Sequence, residues 1–419
     1  MVTRDYFVQQ TIRLAELGEG NGYVSSVDLL KLIKDEEVKN YVVNKYDLAE
    51  PVEIELPKID LLTAIVARYV NRFETQRFKV TEDNVTTSFS DNEEKDMEFT
   101  LKNGTLDEFD VDELNAIALY DSIRLFYDNR KLSQYITFLK KEVRDKTLLE
   151  AVNQSWEDRF AQGKAIPNKK IFRLLYDKLE EQHYVKAINS DKFREYGVGE
   201  TFAVAFLELA KLAKQNVNTF FVSSFAISES KIEIILRSSL EKHIPALGVV
   251  YPSITIRNDD QGNSSFGLYS SLEFKLTNID RDGNVHLFPN KKEENITTDK
   301  AYTHTVTTET FVDSYVQIED FFADVENFED NFYFMKSAAD PDQLRAKIAE
   351  KILGPRSPFK GIGKLTDLFT RETSSHVDNL AALLKLCGRA EMIDMNFDLK
   401  FQLRYIISNV LLYGKNGID

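Results

Sequence analysis

The stretch "GVVYPSITIRNDDQGNSSFGLYSSLEFKLTN", residues 248–278, holds two runs of alternating apolar and polar residues around a polar break. A period of two with many β-branched and aromatic residues is typical of strands. The break at 261–264 is built from Gln, Gly, Asn and Ser, which are common in tight turns. These residues therefore predict an antiparallel β-hairpin.

More strands are expected on either side of this hairpin. "VNTFFVSSFAIS" (217–228) is β-branched, aromatic and rich in hydroxyls, and "NVHLFP" (284–289) alternates. The intervening "ESKIEIILRSSLEKHI" (229–244) is predicted to be a helix. Together these patterns predict a small antiparallel sheet within about 217–290.

The remaining chain has mainly helical patterns. Residues 110–216 carry apolar side chains three and four positions apart, which is typical of a helical bundle. The segment 309–336 predicts a long aromatic helix, and "GPRSPFKGIG" (354–363) predicts a linker. The predicted fold class is α+β, mainly helical with a small antiparallel sheet. Its four regions are an N-terminal α+β region (1–109), a helical segment (110–216), the sheet with the aromatic helix (217–353) and a C-terminal helical segment (354–419).

Composition limits the function classes. The 419 residues carry a formal net charge of −15, which repels phosphate backbones and makes nucleic acid an unexpected partner. Cys387 is the single cysteine, so an intramolecular disulfide is excluded. No apolar run reaches the roughly 18 residues of a membrane span, and the first residues do not form a signal peptide. We expect a cytoplasmic protein of the host cell, or a virion component, with no cofactor.

One set of residues suggests metal-dependent nuclease chemistry. Asp259 or Asp260, followed by Glu273 and Lys275, has the D…E-x-K order in which two carboxylates hold Mg²⁺ and a lysine assists the attacking water. The predicted hairpin would separate these carboxylates by about 30 Å. The nuclease is therefore the alternative hypothesis, and it requires that the hairpin does not form.

A second set resembles half of a calcium loop. Asn278, Asp280 and Asp282 alternate and are followed by Gly283, as in the first half of an EF-hand loop. Position twelve of that loop should be glutamate, and here it is Pro289. Asp282-Gly283 between alternating runs favours a hairpin turn, with calcium binding as the lesser interpretation.

The aromatic segment 309–336 has two interpretations: an aromatic core stripe, which is favoured, and a contact surface for a protein. Its rings alternate with many carboxylates, which suggests a solvated acidic face opposite an aromatic stripe. An exposed part of that stripe would contact a protein partner. The predicted surface comprises Phe321, Phe322, Phe328, Phe332 and Tyr333.

Residues 245–385 resemble a domain family of unknown function found in phage and plasmid genomes. The resemblance is carried by Asn258, Gly262, Ser264, Phe266, Leu268 and Leu272, by Thr277-Asn278 at the strand end, and by His304 in "YTHT". The family's corner cysteine and glycine are absent here. The resemblance implies a phage or mobile element as the setting and implies no reaction.

These observations favour a non-enzymatic phage or mobile-element protein that acts through protein–protein contacts. It would be a virion assembly component or an intracellular accessory factor, with a protein partner or self-assembly. The alternative remains a metal-dependent nuclease or DNA-processing factor that uses Asp259, Asp260, Glu273 and Lys275.

Overall fold

The computed structural model describes residues 4–90, 97–215, 219–245, 247–261, 266–275, 284–288, 300–319, 332–337, 340–370, 376–395 and 397–414. Strands are numbered in chain order: β1 (Gln10–Ile12), β2 (Tyr23–Ser25), β3 (Glu53–Glu55), β4 (Phe73–Thr81), β5 (Val85–Phe89), β6 (Met97–Leu106), β7 (Phe109–Ala118), β8 (Lys169–Asp177), β9 (Gln182–Asn189), β10 (Phe220–Ile227), β11 (Lys231–Ser238), β12 (Lys242–Ile244), β13 (Gly248–Asp259), β14 (Phe266–Lys275), β15 (Val285–Leu287) and β16 (Lys300–Tyr302).

Helices are numbered in the same way: α1 (Arg4–Phe7), α2 (Ser26–Leu30), α3 (Glu36–Lys45), α4 (Ile59–Arg72), α5 (Ser122–Asp128), α6 (Ser133–Phe138), α7 (Lys146–Ala161), α8 (Val198–Gln215), α9 (Thr308–Asp313), α10 (Tyr333–Ser337), α11 (Pro341–Leu353), α12 (Gly363–Phe369), α13 (Leu380–Glu391) and α14 (Phe397–Tyr413). A π-helical turn, Leu139–Val143, continues α6. No helix among these described segments is both long enough and apolar enough to cross a membrane.

The chain divides into two compact units. The first unit comprises 1–66, 196–259 and 265–419, and the second comprises 67–195 and 260–264. Each is described by itself below.

The second unit is a closed five-stranded barrel. Its strands follow the order β4-β8-β9-β7-β6, and pairing of β4 with β6 closes the ring, while β5 adds to β6 outside it. The β7–β9 pair is parallel and the other pairs are antiparallel. With helices α5–α7 between the third and fourth barrel strands, this connectivity is that of the OB barrel, a Greek-key barrel of five strands.

Aromatic packing fills the barrel. Phe99 on β6 lies 5.3 Å from Phe172 on β8 and 5.6 Å from Phe126 on α5, measured between ring centroids. All three rings are fully buried. Helix α5 thus packs its apolar side chains into the same core as the barrel strands.

The first unit contains a curled antiparallel sheet. Its main path is β1-β10-β11-β13-β14-β15, with β12 paired to β13 and β16 paired to β14. The hairpin predicted at 248–278 is present: Arg257 pairs with Gly267 and Val249 pairs with Lys275. A separate two-stranded sheet joins β2 and β3.

The two faces of the curled sheet differ in chemistry. One row across neighbouring strands is apolar and contains Ile12, Phe225, Ile234, Ile256 and Leu268. Helix α8 packs on this side, where its Phe202 ring lies 5.9 Å from the Phe225 ring. The adjacent row points to the opposite side because successive strand residues alternate, and it is mostly polar: Thr11, Ala226, Glu233, Arg257 and Gly267.

The C-terminal helices share one apolar core with β12–β15. Ile348 on α11, Leu383 on α13 and Ile407 on α14 belong to this cluster, as does the fully buried Cys387. Burial raises the pKa of the Cys387 thiol, so this cysteine is a packing residue.

The prediction of a mainly helical chain with a small sheet at 217–290 is wrong. The structure has two large sheets, and the segment 110–216, predicted to be helical, contains most of β7 and all of β8 and β9. β8 is buried on both faces, so its apolar residues show no period of two. The helix predicted at 229–244 is β11 followed by β12 for the same reason, because β11 is also buried on both sides.

Candidate functional site

The structure separates the residues of the nuclease hypothesis. Glu273 pairs with Tyr251, eight residues along β13 from Asp259, which is about 26 Å at 3.3 Å per residue. Lys275 lies at the same far end, opposite Val249. Asp259 instead forms an ion pair with Lys231 at 3.0 Å. These groups are too far apart to share a metal ion.

Asp260 lies in the second unit and belongs to a buried ionic cluster. The Lys186 ammonium lies 2.7 Å from the Asp260 carboxylate and 2.9 Å from that of Glu195. Arg173 also pairs with Glu195, at 3.6 Å. Burial opposes the charged form of Glu195, but Lys186 and Arg173 outweigh it and lower the pKa of that carboxyl. These compensated charges join Arg173 on β8 and Lys186 on β9 to Glu195 and Asp260, which lie outside the barrel strands.

The other predicted sites fall mostly outside the described residues. This applies to Asn278, Asp280 and Asp282 of the calcium loop and to Phe321, Phe322 and Phe328 of the aromatic surface. Phe332 is buried, with its ring 5.3 Å from that of Phe274, so it is a core residue, whereas Tyr333 is 77% exposed. Within the described part of the chain, no group of three His, Cys, Asp or Glu side chains is arranged to hold a metal ion.

An ion-pair network covers the polar face of the curled sheet. Arg404 on α14 donates to Glu233 at 2.7 Å and to Glu391 at 2.9 Å. Six residues earlier on the same helix, Asp398 accepts from Arg257 at 3.0 Å and from Lys231 at 2.9 Å. Asp398 and Arg404 both pair with charged side chains of β11 and β13, so these two acid–base groups fix α14 to the sheet.

A buried acid and a buried histidine lie beside this network. Glu273 and His286 are direct partners across β14 and β15. Burial raises the pKa of Glu273, and burial together with Arg404 lowers the pKa of His286 to about 3. Perturbed pKa values are common at active sites. Both side chains are nearly inaccessible, however, so neither can touch a substrate in this conformation.

The outer face of β6 and β7 is the usual ligand face of an OB barrel. Here it presents Thr100 bonded to Asn115 at 2.8 Å and Lys102 paired with Glu113 at 3.6 Å. OB barrels that bind single strands stack bases on aromatic side chains. These four side chains offer no ring for stacking, and the exposed Phe109 stands at the start of β7.

An exposed apolar surface occurs on the helical insertion of the second unit. We call it the helical patch: Tyr135, Phe138, Val143 and Leu148, which are 39%, 51%, 40% and 40% exposed. Tyr135 and Phe138 are three apart on α6, and Val143 follows Phe138 by five residues in the π-helical turn, which brings it back to a similar side. Ile136, Leu139 and Leu149 face the core instead.

The helical patch is interleaved with positive charge. Residues 140–146, "KKEVRDK", contain four basic and two acidic side chains, whereas the whole chain has a net charge of −15. The expectation of a helical bundle at 110–216 assigned all these apolar residues to a core. The core of this segment is formed by Ile136 and Leu139, which are three residues apart. Tyr135 and Phe138 each precede one of these core residues by one position, and this offset is the sequence signal for the patch.

Comparison of the sequence with family models and with curated proteins, and of the structure with solved structures, finds no match.

Proposed function

We propose that this is a non-enzymatic protein of a phage or mobile element that acts through protein–protein contacts, and that the helical patch is its contact surface. The single observation that supports this most is the exposure of four large apolar side chains on one helical insertion. Exposed apolar groups surrounded by charge are typical of protein-binding surfaces.

The occupant that fits is a second copy of the chain. The patch is locally positive within a strongly acidic protein, so another copy offers the complementary charge. By sequence, its stretch 319–330, "EDFFADVENFED", combines six carboxylates with three phenylalanines. This composition complements both the apolar side chains and the positive charge of the helical patch. A patch of four side chains predicts weak association, with a Kd on the order of tens of micromolar.

Peptide binding tests this proposal. A fluorescent synthetic peptide of residues 317–332 is titrated with the protein and followed by anisotropy. The Phe138→Asp variant should weaken binding at least tenfold, because it places a carboxylate in the apolar contact. Phe109→Asp is the matched control, since Phe109 is exposed in the same unit but outside the patch, and it should bind as the wild type does.

The contrary outcomes are distinct. Equal binding by the wild type and the Phe138→Asp variant, or no binding by either, would exclude the patch as the site. If a single-stranded oligonucleotide bound in a manner that depends on Phe138 and the peptide did not, the DNA-processing alternative would replace the proposal.

A further inference from the structure

A small polar cavity opens beside the ion-pair network of the first unit. It is lined by Gln9 and Thr11 from the first strand region, by Ser224, Ala226 and Glu233 from the sheet, and by Met395, Lys400 and Arg404 near or on α14. Its volume is about 270 Å³ including the open mouth, and its deep end has room for about one water-sized group.

The two cations of this cavity differ in how they are compensated. Arg404 is bonded to the carboxylates of Glu233 and Glu391. Lys400 is 8% exposed and donates to the backbone oxygen of Glu391 at 3.0 Å. Among the described residues, no carboxylate lies within ion-pair distance of Lys400. An ammonium has three donors, so two of its N–H groups remain available.

The amide of Gln9 is a second, independent indication of a ligand. Both its Nε2 and Oε1 atoms are buried and lack a hydrogen-bond partner among the described residues. Leaving a buried polar group unpaired costs roughly 1–3 kcal/mol. Thr11 and Ser224 add hydroxyl groups to the same wall. The lining therefore offers more donors than acceptors, which suits an anion.

We propose that this cavity binds a carboxylate group, which accepts hydrogen bonds from Lys400 and Gln9. A monoanion fits better than a phosphate because the Glu233 carboxylate also borders the cavity and repels further negative charge. One oxygen of the carboxylate occupies the narrow deep end, and the rest of the ligand lies in the mouth. The head belongs either to a small organic acid or to the C-terminus of a peptide, because both present the same group.

Thermal unfolding in the presence of acetate tests the site. Ligand that binds only the folded state raises the Tm with concentration, and sodium chloride at equal ionic strength controls for screening. Wild-type protein should gain Tm with acetate and gain less with chloride or with neutral acetamide. Acetyl-Gly-Gly with a free carboxylate, compared with its amidated form, distinguishes a peptide terminus from a small acid.

Two variants locate the binding. Lys400→Met and Gln9→Leu should each reduce the acetate-dependent Tm gain by at least half, whereas Lys364→Met, at an exposed lysine of the same unit, should retain it. If Lys400→Met does not fold, the acetate-dependent Tm gain of Gln9→Leu alone decides the question. Equal gains with acetate, chloride and acetamide, or an unchanged gain in Gln9→Leu, would overturn the proposal.

Discussion

The Arg404 guanidinium and the Glu233 carboxylate meet at 2.7 Å with both side chains almost fully buried. Arg404 also binds Glu391, and these contacts outweigh the effect of burial and raise the pKa of the guanidinium. Breaking a buried ion pair from one side leaves the other charge without compensation. The position of α14 on the sheet therefore depends on this pair.

Arg404→Met should lower the free energy of unfolding by about 3–5 kcal/mol. The loss arises from the carboxylates left behind at Glu233 and Glu391, which is why Arg404→Met combined with Glu233→Gln should lose less than the single variant. Urea denaturation followed by fluorescence measures this. Arg356→Met, at an exposed arginine, should change stability by less than about 0.5 kcal/mol; a similar loss in both variants would show that the pair has no special role.

The barrel closure depends on the absence of a side chain at Gly104. A Cβ atom there would lie 2.6 Å from Cζ of Phe78 and 2.8 Å from the backbone oxygen of Lys79, next to the two residue pairs that join β4 to β6. Gly104→Ala should destabilise the protein by roughly 1–3 kcal/mol through overpacking. Gly363→Ala, where a Cβ meets nothing within 4 Å, is the control. Unfolding of Gly104→Ala at the same urea concentration as the wild type would contradict the close approach of Gly104 to Phe78 where β4 pairs with β6.

His286 predicts a pH dependence of stability. Burial and the nearby Arg404 lower its pKa to about 3 in the folded protein, against about 6.5 when unfolded. Because the pKa of His286 is lower in the folded protein, its contribution to the free energy of unfolding is fully present above about pH 6.5. That contribution is lost as the pH falls from 6.5 towards the folded pKa. Relative to a His286→Leu variant, the wild type should lose roughly 2 kcal/mol between pH 7.5 and pH 5. Parallel stability curves for the two proteins over this range would contradict the buried, neutral state of His286.

The sequence predicted the pairing of strands that are neighbours in the chain better than the pairing of strands that are far apart in it. The β13–β14 hairpin follows from alternation and a polar break within 31 residues of continuous sequence. β8 and β9 were missed because the turn between them, "KLEE", is made of strong helix formers, and Glu181 adopts a left-handed conformation there with φ 49°. The pairing of β4 with β8 joins residues about a hundred positions apart, and no local pattern encodes it.

For the candidate sites too, order along the chain did not reveal which residues are close in space. Order along the chain brought Asp259, Glu273 and Lys275 into one motif, but the register of the hairpin puts them at opposite ends of two strands. Conversely, Gln9, Glu233 and Lys400 meet at one cavity although more than 160 residues separate each from the next. The network of Arg404 could not be predicted, because neither the residue pattern of β11 nor that of α14 reveals which charged residues will be buried together.

Sedimentation velocity over a concentration series tests the central claim, self-association through the helical patch, most directly. The wild type and the Phe109→Asp variant should shift from monomer towards larger species between about 1 μM and 200 μM, the range that brackets the affinity expected of a small interface. Phe138→Asp should remain a monomer throughout. A wild-type protein that stays monomeric at the highest concentration, or a Phe138→Asp variant that associates as the wild type does, would contradict the account.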